Sequence, residues 1–326
     1  MKRLVLVLTI LALILSVPLT AFAQDGSSPL CNGLSEADCA QLMAALGTLE
    51  TVQSFTVPLW SAEISSDEMS LSASGRAGFV LGDSVNDIVL HLVLESLTMT
   101  PAQEGLPEYL EIIMAGGFGY VNVNGEWFGE ELGEEDVADI EGQMDSLGLG
   151  SMEGLDELGL DLTGVLTTTR GEDADHMGQA VATYTMNFDL AALITAALAS
   201  PLVGEAMNMS GGTEEEAAAN AAMITQFAPV VIMMLGQTGL NAGLWVGNDD
   251  GYIHRVELNV NLDVNMAMLG ADTPPIVGNI NFFAEVSGVD EGYSVDVPSD
   301  YGTMEEFEEK YGGLLESVDV ESLIGF

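Results

Sequence analysis

Strict alternation of apolar and polar residues runs through the middle and the last third of the chain. Between residues 252 and 264 the even-numbered positions are mostly apolar, whereas the odd-numbered positions from 255 to 263 are charged or Asn. A period of two is typical of a β-strand with one buried face and one face in water. The segments 71–81 and 278–286 repeat the pattern. The sequence therefore predicts long amphipathic strands.

Shorter apolar runs between turn signals predict further strands. Residues 86–98 are apolar on both faces for much of their length, so we expect this strand to be covered on both sides. Asn124-Gly125 predicts a type I′ hairpin turn, and the run from Asn248 to Gly251 predicts a second hairpin. The remaining strands are predicted at residues 109–114, 118–123, 181–188, 242–246 and 295–298.

A spacing near 3.6 residues replaces the alternation in segments that begin with capping residues. Ser35 followed by Asp38 predicts the start of an N-terminal helix that reaches about Leu49. Asp189 predicts the start of an apolar helix that Pro201 ends. Two Thr-x-x-Glu capping boxes predict an Ala-rich helix and an acidic C-terminal helix: Thr213 with Glu216, and Thr303 with Glu306.

The N-terminus has the pattern of a cleavable signal peptide. Lys2 and Arg3 precede an apolar run from residue 4 to 17, and residues 21–23, Ala-Phe-Ala, suit a signal peptidase. A retained membrane anchor is the alternative, but the run is shorter than the ~20 residues that span a bilayer. We expect cleavage before Gln24 and an extracytoplasmic location: periplasmic, in the cell envelope, or secreted.

Acidic residues far outnumber basic ones. The chain has 51 Asp and Glu, and loss of Lys2 and Arg3 with the signal peptide would leave four basic residues and a net charge of −47. Binding to a phosphate backbone needs clustered Lys and Arg, so nucleic acid is excluded as a partner. A saline habitat and a surface that only maintains solubility both account for such a charge.

Cys31 and Cys39 are the two cysteines of the sequence. In an exported chain, where oxidation is allowed, this pair predicts a local disulfide. Closing so small a loop contributes roughly 2–3 kcal/mol, which fixes a terminus rather than a fold. Two thiolates fall short of the four ligands of a structural zinc site.

The sequence predicts no catalytic residue, metal site or cofactor. His91 and His254 fall in predicted strands and His176 in an acidic loop, and Gly-x-Ser-x-Gly and His-Glu-x-x-His motifs are absent. The acidic run from Asn248 to Gly251 offers hard oxygens to a cation, but it lacks the distal Glu of an EF-hand loop. A hairpin turn and a bound cation both remain open there.

The number and placement of apolar residues favour a ligand cavity. Long strands with one aliphatic face, together with apolar helices inserted before the last hairpin, supply a sheet and a cover for it. A strongly curved, unclosed sheet under such a cover leaves a hollow that suits a large apolar ligand. The 17 methionines fit an adaptable lining, although they equally fit a core with gaps to fill.

Three short motifs resemble those of LolA-like and LppX/LprG-like extracytoplasmic carriers. They are the Gly, Tyr, hairpin and Trp segment at 117–128, the later hairpin at 243–256, and the closing Val295-Asp296-Val297-Pro298. The similarity spans about residues 52–300. It implies an antiparallel half-barrel with helices over its concave side and an acyl-chain cavity between them, in a protein that carries or senses lipids or lipoproteins.

We therefore expect an α+β fold: a strongly curved antiparallel β-sheet, an unclosed half-barrel, with helices packed over the concave face. The expected organisation is a signal peptide (1–23), an N-terminal helix with the disulfide (24–50), a LolA-like domain (51–300) with an acidic Gly-rich insertion (129–171) and a helical lid (189–237), and an acidic C-terminal helix or tail (301–326).

The expected function is non-enzymatic binding of a lipid or of the acyl chains of a lipidated protein, without a membrane span after signal cleavage. The alternative is a structural or interaction module of the cell surface without a ligand cavity. The candidate cavity residues are the inward positions of the amphipathic strands: Leu90, Leu92, Tyr252, Val256, Leu258, Leu262, Ile280 and Phe282.

Overall fold

The computed structural model describes most of the predicted β-rich domain. The described residues are 28–49, 51–66, 69–82, 84–102, 106–133, 164–199, 229, 232–233, 238–264 and 276–317. The predicted signal peptide, the middle of the insertion and most of the predicted lid lie outside the described residues.

The described chain is mostly β and has three α-helices. The helices are α1 (Glu36–Thr48), α2 (Leu190–Ala199) and α3 (Met304–Ser317), with 3₁₀ turns at Pro29–Cys31 and Val85–Asp87. The twelve strands are β1 (Ser54–Ser66), β2 (Ser70–Val80), β3 (Val89–Thr100), β4 (Leu110–Ala115), β5 (Phe118–Val123), β6 (Glu126–Glu131), β7 (Leu166–Arg170), β8 (Ala174–His176), β9 (Gln179–Phe188), β10 (Gly239–Gly247), β11 (Ile253–Val264) and β12 (Ile276–Ser287).

All twelve strands form one antiparallel sheet. The order is β6-β5-β4-β3-β2-β1-β12-β11-β10-β9-β7, with β8 paired to β9 at one side. The sheet is unclosed as predicted, but it is not strongly curled. Alternation shows which face of a strand is buried, whereas curl is set by bulges and twist, which alternation does not report.

Strand β1 joins the two halves of the sheet, and the sequence analysis missed it. It pairs with β2 on one side and with β12, more than 200 residues later, on the other. The registers shift between Val57 and Trp60, so two residues of β1 oppose one of β2. This bulge places both Val57 and Trp60 on the same face, which breaks the period of two that reveals a strand.

The registers divide the side chains between two faces of the sheet. We call face A the side that carries Trp60, Ala77, Leu92 and Phe282, which pack together in one buried cluster. Face B is the opposite side, and on β11 it carries the predicted polar series from 255 to 263. The prediction of one apolar and one polar face is therefore confirmed for β11.

Helix α1 covers one end of face A. Its Leu42, Ala45 and Leu46 are buried against Tyr184 and Leu244 of the sheet. The predicted cap is confirmed, because Ser35 Oγ accepts a hydrogen bond from the Asp38 N–H (3.2 Å). The predicted disulfide between Cys31 and Cys39 is also confirmed, and it ties the preceding 3₁₀ turn to α1.

Helix α3 covers the other end of the same face. Phe307 is buried against Val121, Val123 and Phe128 of strands β5 and β6. The predicted capping box is present, since the Glu306 N–H donates to Thr303 Oγ1 (3.2 Å) and the Thr303 N–H donates to Glu306 Oε2 (2.8 Å). Two terminal helices therefore shield the two ends of face A.

Residues 288–302, here called the strap, cross face B from β12 to the far edge of the sheet. The Gly292 N–H donates to Ser54 Oγ of β1, and the Tyr293 ring lies over Gly78 of β2. Further along, Tyr301 packs edge-on against Tyr120 of β5 with 5.2 Å between ring centroids. The prediction of a closing strand at 295–298 is wrong, because these residues pair with no strand of the described chain and Val297 is exposed.

Two other expectations need correction. The predicted loop at 129–171 begins inside β6 and contains the whole of β7, since Leu166–Arg170 pairs with β9. Tyr252 precedes β11, and Ile253 takes the buried position opposite Val246. A register shift between Trp245 and Val246 causes this change of phase.

Gly75 should tolerate no side chain. A Cβ there would lie 1.8 Å from the Val93 carbonyl oxygen and 3.0 Å from Trp60 Cζ2, so we expect Gly75→Ala to lower the free energy of unfolding by 1–3 kcal/mol or more, as roughly expected for overpacking. Gly47→Ala is the matched control, because this helical glycine has open space around its Cβ position and Ala favours helix by about 1 kcal/mol. Urea unfolding of both variants measures the difference in stability. Equal stabilities would contradict the close packing of Gly75 against Val93 and Trp60.

Candidate functional site

Burial on face A falls steadily along the strands in one direction. On β1, Val57 and Trp60 are buried, whereas Ala62 and Ile64 are half-buried. On β3, Leu92 is buried and Met99 is half-buried. The apolar face therefore leaves the packed core and continues toward one end of the sheet.

The decrease in burial is visible in three rows of face A residues, each row being the side chains that lie opposite one another on neighbouring strands. The row that contains Trp60 is mostly buried, and the row next to it contains Ala62 and Phe282. The third, which we call the outer row, is half-buried at every position. It consists of one residue from each of seven neighbouring strands: Met99, Leu71, Ile64, Ile280, Val260, Leu240 and Phe188.

We call the outer row and the Ala62 row together the apolar shelf. The Ala62 row is Leu97, Ala73, Ala62, Phe282, Leu258, Ala242 and Met186, one residue from each of the same seven strands. The three buried clusters of the described chain include Phe188 from the outer row as a flanking residue, but not Ile64, Leu71 or Ile280. The shelf thus runs from the edge of the packed core, where Phe282, Ala242 and Met186 are buried, out to the half-buried outer row.

The candidate cavity residues fall into three groups. Leu258, Ile280 and Phe282 lie on the shelf, and Leu262 lies one position beyond the outer row. The next group sits deeper on face A: Val256 in the Trp60 row, and Leu90 and Leu92 nearer the core. Tyr252 alone is outside the sheet. Contact of these residues with a ligand stays a prediction.

Sequence reasoning missed the β1–β3 half of the shelf. Ile64 belongs to the strand that the bulge concealed. Leu97 and Met99 share a face with Leu94 because a second register shift, between Ser74 and Gly75, adds a residue on β3. A search for strand patterns that allows one inserted residue would have found the apolar face of β1 and the continuation of the apolar face of β3.

Two clefts formed by described residues lie away from the shelf. One, of about 620 Å³, borders β6 and is lined by Trp127, Tyr301 and Lys310 among others. The second, of about 260 Å³, lies between the start of β1 and the strap. The predicted hollow between sheet and helices is therefore not shown by the part of the chain that the structure describes.

His91 joins a buried polar cluster on face B. Its Nε2–H donates to Glu111 Oε1 (2.7 Å), and its Nδ1 accepts from the Tyr293 hydroxyl. The Tyr109 hydroxyl donates to Glu111 Oε2 (2.7 Å). Hydroxyl, imidazole and carboxylate thus follow in the order of a catalytic triad.

The electrostatics of this cluster oppose nucleophilic catalysis. Burial raises the pKa of Tyr293, whereas an activated nucleophile needs its pKa lowered. His91 is only 7% exposed and lies beneath the strap. The cluster instead fixes the strap to the sheet.

The turn at Asn248–Gly251 uses one of its two carboxylates, that of Asp250, internally. Asp250 Oδ1 accepts a hydrogen bond from the Tyr252 N–H (3.0 Å), and Asp250 Oδ2 lies 3.0 Å from His254 Nε2. Among the described residues no group of three or more metal-ligating side chains is found. The same ranges contain no helix with the length and apolar content needed to cross a membrane.

A scan against protein-family models finds no match, and a search of curated proteins finds none either. Among solved structures, the chain is similar to the lipoprotein LppX of Mycobacterium tuberculosis, with 12% identity, a TM-score of 0.35, and coverage of 80% of this chain and 100% of that one. LprF of Mycobacterium bovis gives 12% identity, a TM-score of 0.35, and coverage of 82% and 99%.

A third match is a putative outer membrane lipoprotein-sorting protein domain from Vibrio parahaemolyticus. Its identity is 6%, its TM-score 0.21, and its coverage 74% of this chain and 87% of that one. The resemblance to LppX-like and LolA-like proteins predicted from the sequence is thus matched among solved structures.

Tyr109 should make stability depend on pH at high pH. Burial first, and then the hydrogen bond to Glu111, raise the pKa of Tyr109 to about 12. The folded state therefore keeps a proton that the unfolded state loses above pH ~10, so the free energy of unfolding falls between pH ~10 and about 12.

The test compares urea unfolding of the wild type and Tyr109→Phe across that window. The other tyrosines are the same in both proteins, so we expect a shallower decline in Tyr109→Phe. Glu111→Gln, which keeps an acceptor but removes the charge, should give an intermediate slope. Identical slopes in all three proteins would contradict the arrangement around Glu111.

Proposed function

We propose that this chain is an exported, non-enzymatic protein that binds a lipid, or the acyl chains of a lipidated protein, on the apolar shelf. The observation that carries the proposal is the outer row, a line of half-buried apolar side chains across seven strands. A contiguous apolar surface on an exported acidic protein marks a binding site rather than core.

The dimensions of the shelf suit acyl chains. Six strand spacings of about 4.8 Å make the outer row roughly 29 Å long. One leaflet of a bilayer has a hydrocarbon depth of about 15 Å, half of the ~30 Å core, so the row would hold two chains end to end. Each buried CH₂ contributes about 0.8 kcal/mol, so a few contacts already give useful affinity.

The start of the predicted lid supports a cover over the shelf. Phe188 ends the outer row, and α2 begins two residues later at Leu190. Asp189 Oδ1 caps this helix by accepting from the Ala192 N–H (2.9 Å), and the Asp189 N–H donates to the Val165 carbonyl (2.7 Å). We include the remainder of the predicted lid, up to residue 237, in the proposal.

Export is supported by the disulfide, since such bonds persist in oxidising compartments outside the cytoplasm. A non-enzymatic role is supported by the use of His91 and His254 in a strap anchor and a turn. The alternative function also has a supporting observation. A surface interaction module is favoured by the two described clefts, because both lie away from the shelf.

Native mass spectrometry of the mature protein, purified from its own cell envelope without detergent, tests the proposal directly. We expect a bound species whose mass corresponds to one or two acyl lipids and which dissociates on collisional activation. Protein that is consistently free of lipid, both from the envelope and after incubation with acyl lipids, would favour the interaction module.

Adjacent substitutions on opposite faces of β2 localise the binding. Leu71→Asn places an amide in the outer row, whereas Ser72→Asn places the same group on face B. Burial of about half of a Leu side chain against the ligand contributes roughly 1 kcal/mol to binding. We therefore expect Leu71→Asn to weaken binding of a dansyl-labelled fatty acyl probe about five-fold or more.

Ser72→Asn should leave that affinity within two-fold of the wild type. Thermal unfolding of both variants checks that the fold is kept. Equal weakening by the two substitutions, or none by Leu71→Asn, would remove the shelf as the binding surface.

A further inference from the structure

The basic residues of the chain are few, and those outside the predicted signal peptide are all paired with carboxylates. Of the six Lys and Arg, Lys2 and Arg3 belong to that peptide. Each of the other four forms an ion pair with at least one acidic side chain: Arg76 with Glu95, Arg170 with Asp38 and Asp173, Arg255 with Glu257 and Glu285, and Lys310 with Glu126. Arg and Lys are the side chains that bind phosphate and carboxylate groups most strongly. The mature chain therefore has no unengaged base to offer to an anionic ligand.

These four residues also lie away from the apolar shelf. Arg76 and Arg255 are on face B, Arg170 is bound to α1, and Lys310 is part of α3. The two rows of the shelf consist entirely of apolar residues. A charged group that rested among them would lose its water without gaining a partner, which costs free energy.

The surroundings of the shelf are acidic. Helix α2 begins beside the outer row, and the N-terminus of a helix attracts anions. Here the protein's own carboxylate takes that position, since Asp189 Oδ1 accepts a hydrogen bond from the Ala192 N–H (2.9 Å). In β1, the exposed Glu63 adjoins Ile64 of the outer row. An anionic headgroup at the shelf would thus meet carboxylates rather than cations.

We propose that the ligand of the shelf is an acyl lipid with an uncharged headgroup, and that the charges around the shelf reject a lipid that carries a phosphate or a carboxylate. This inference rests on the proposed function and names its ligand class. The hydrocarbon gains the same free energy on the shelf in either case. An anionic headgroup is repelled by a chain with a net charge of −45, whereas a glycerol or ester group is not.

The experiment compares monooleoylglycerol with lysophosphatidic acid that has the same oleoyl chain. Both lipids are delivered from cyclodextrin to the full mature protein, and calorimetric titration measures the two affinities. The lipids share the acyl chain and the glycerol, and only the second carries a phosphate. At low salt we expect the uncharged lipid to bind about five-fold or more tightly, a ratio that roughly corresponds to one pair of like charges close together in water.

Salt distinguishes repulsion from a poor fit of the phosphate. The Debye length falls from about 30 Å at 0.01 M salt to about 3 Å at 1 M, so the affinity ratio should fall toward one over this range. A ratio that salt leaves unchanged would mean that the size of the headgroup, and not its charge, decides binding. That result would overturn the proposal.

Leu262→Lys supplies the missing cation, because Leu262 lies on face A one position beyond the outer row. Leu262→Gln is the matched control, which removes the same apolar side chain without adding a charge. Glu309→Gln raises the net charge by the same amount as Leu262→Lys, but in α3. At low salt we expect Leu262→Lys to lower the ratio of the two affinities about five-fold, the effect of one close charge pair. Leu262→Gln weakens both lipids alike, and both controls keep the wild-type ratio within two-fold.

The outcomes separate this inference from the proposed function. Equal affinities at low salt, or tighter binding of the phosphate lipid, overturn the inference and leave the lipid-binding function standing. Equal effects of Leu262→Lys and Glu309→Gln also overturn it, because selection would then come from net charge alone and not from the surroundings of the shelf. Should the Leu262 variants fail to fold, the salt dependence of the wild type still decides. Failure of both lipids to bind at every salt concentration would reject the proposed function itself.

Discussion

The pairing of β1 with β12 is the constraint on which the rest of the structure depends. Strands β1 to β6 follow one another as neighbours, and β9 to β12 do the same, so this pairing alone fuses the two parts into one sheet. Its register sets Trp60 opposite Ala284 and Ile64 opposite Ile280. A slip of one residue would turn one half over, because side chains alternate between faces with a period of two. The continuous apolar shelf exists only in the observed register.

An open sheet of this width has two edges that could pair with other chains, and the protein covers both by the same means. At β6, the Gly302 N–H donates to the Trp127 carbonyl (2.8 Å) and the Gly129 N–H donates to the Gly302 carbonyl (3.0 Å). At β7, Asn32 accepts from the Thr168 N–H (2.8 Å) and donates its side-chain amide to the Leu166 carbonyl (2.9 Å). Single residues that satisfy edge groups in this way discourage strand addition.

The two edge covers are attached to the two helices that shield face A. Gly302 immediately precedes the capping box of α3, and Asn32 lies between the disulfide-bonded turn and α1. Each terminal segment thus closes one edge and one end of the apolar face together. The stretch of face A between the helices, which includes the outer row, is the part that these segments leave to another occupant.

Sequence patterns predicted the features that depend on local chemistry. The capping residues Ser35 and Thr303, the disulfide and the polar face of β11 follow from spacing and side-chain type, and each is present. Features that depend on an inserted residue were missed. Bulges hid β1 and shifted the phase at Tyr252, and the apparent strand at 295–298 has alternation without a partner strand. The buried Trp60 N–H, which has no hydrogen-bond partner in the described chain, follows from no pattern, because only coordinates show which donors lack an acceptor.

The charge of the chain gives the shelf a further property. A half-exposed apolar row on a neutral protein would favour association of two copies, shelf to shelf. Here Glu63 and Asp263 lie beside Ile64 and Leu262 on the opposite face, within a chain that carries a net charge of −45. Repulsion between such copies opposes their association but acts little on an uncharged ligand. Charges separated by more than about 8 Å are largely screened at physiological ionic strength, so this repulsion weakens as salt is added. The acidic surface and the apolar row are therefore complementary: the one keeps the other accessible to a neutral, apolar partner.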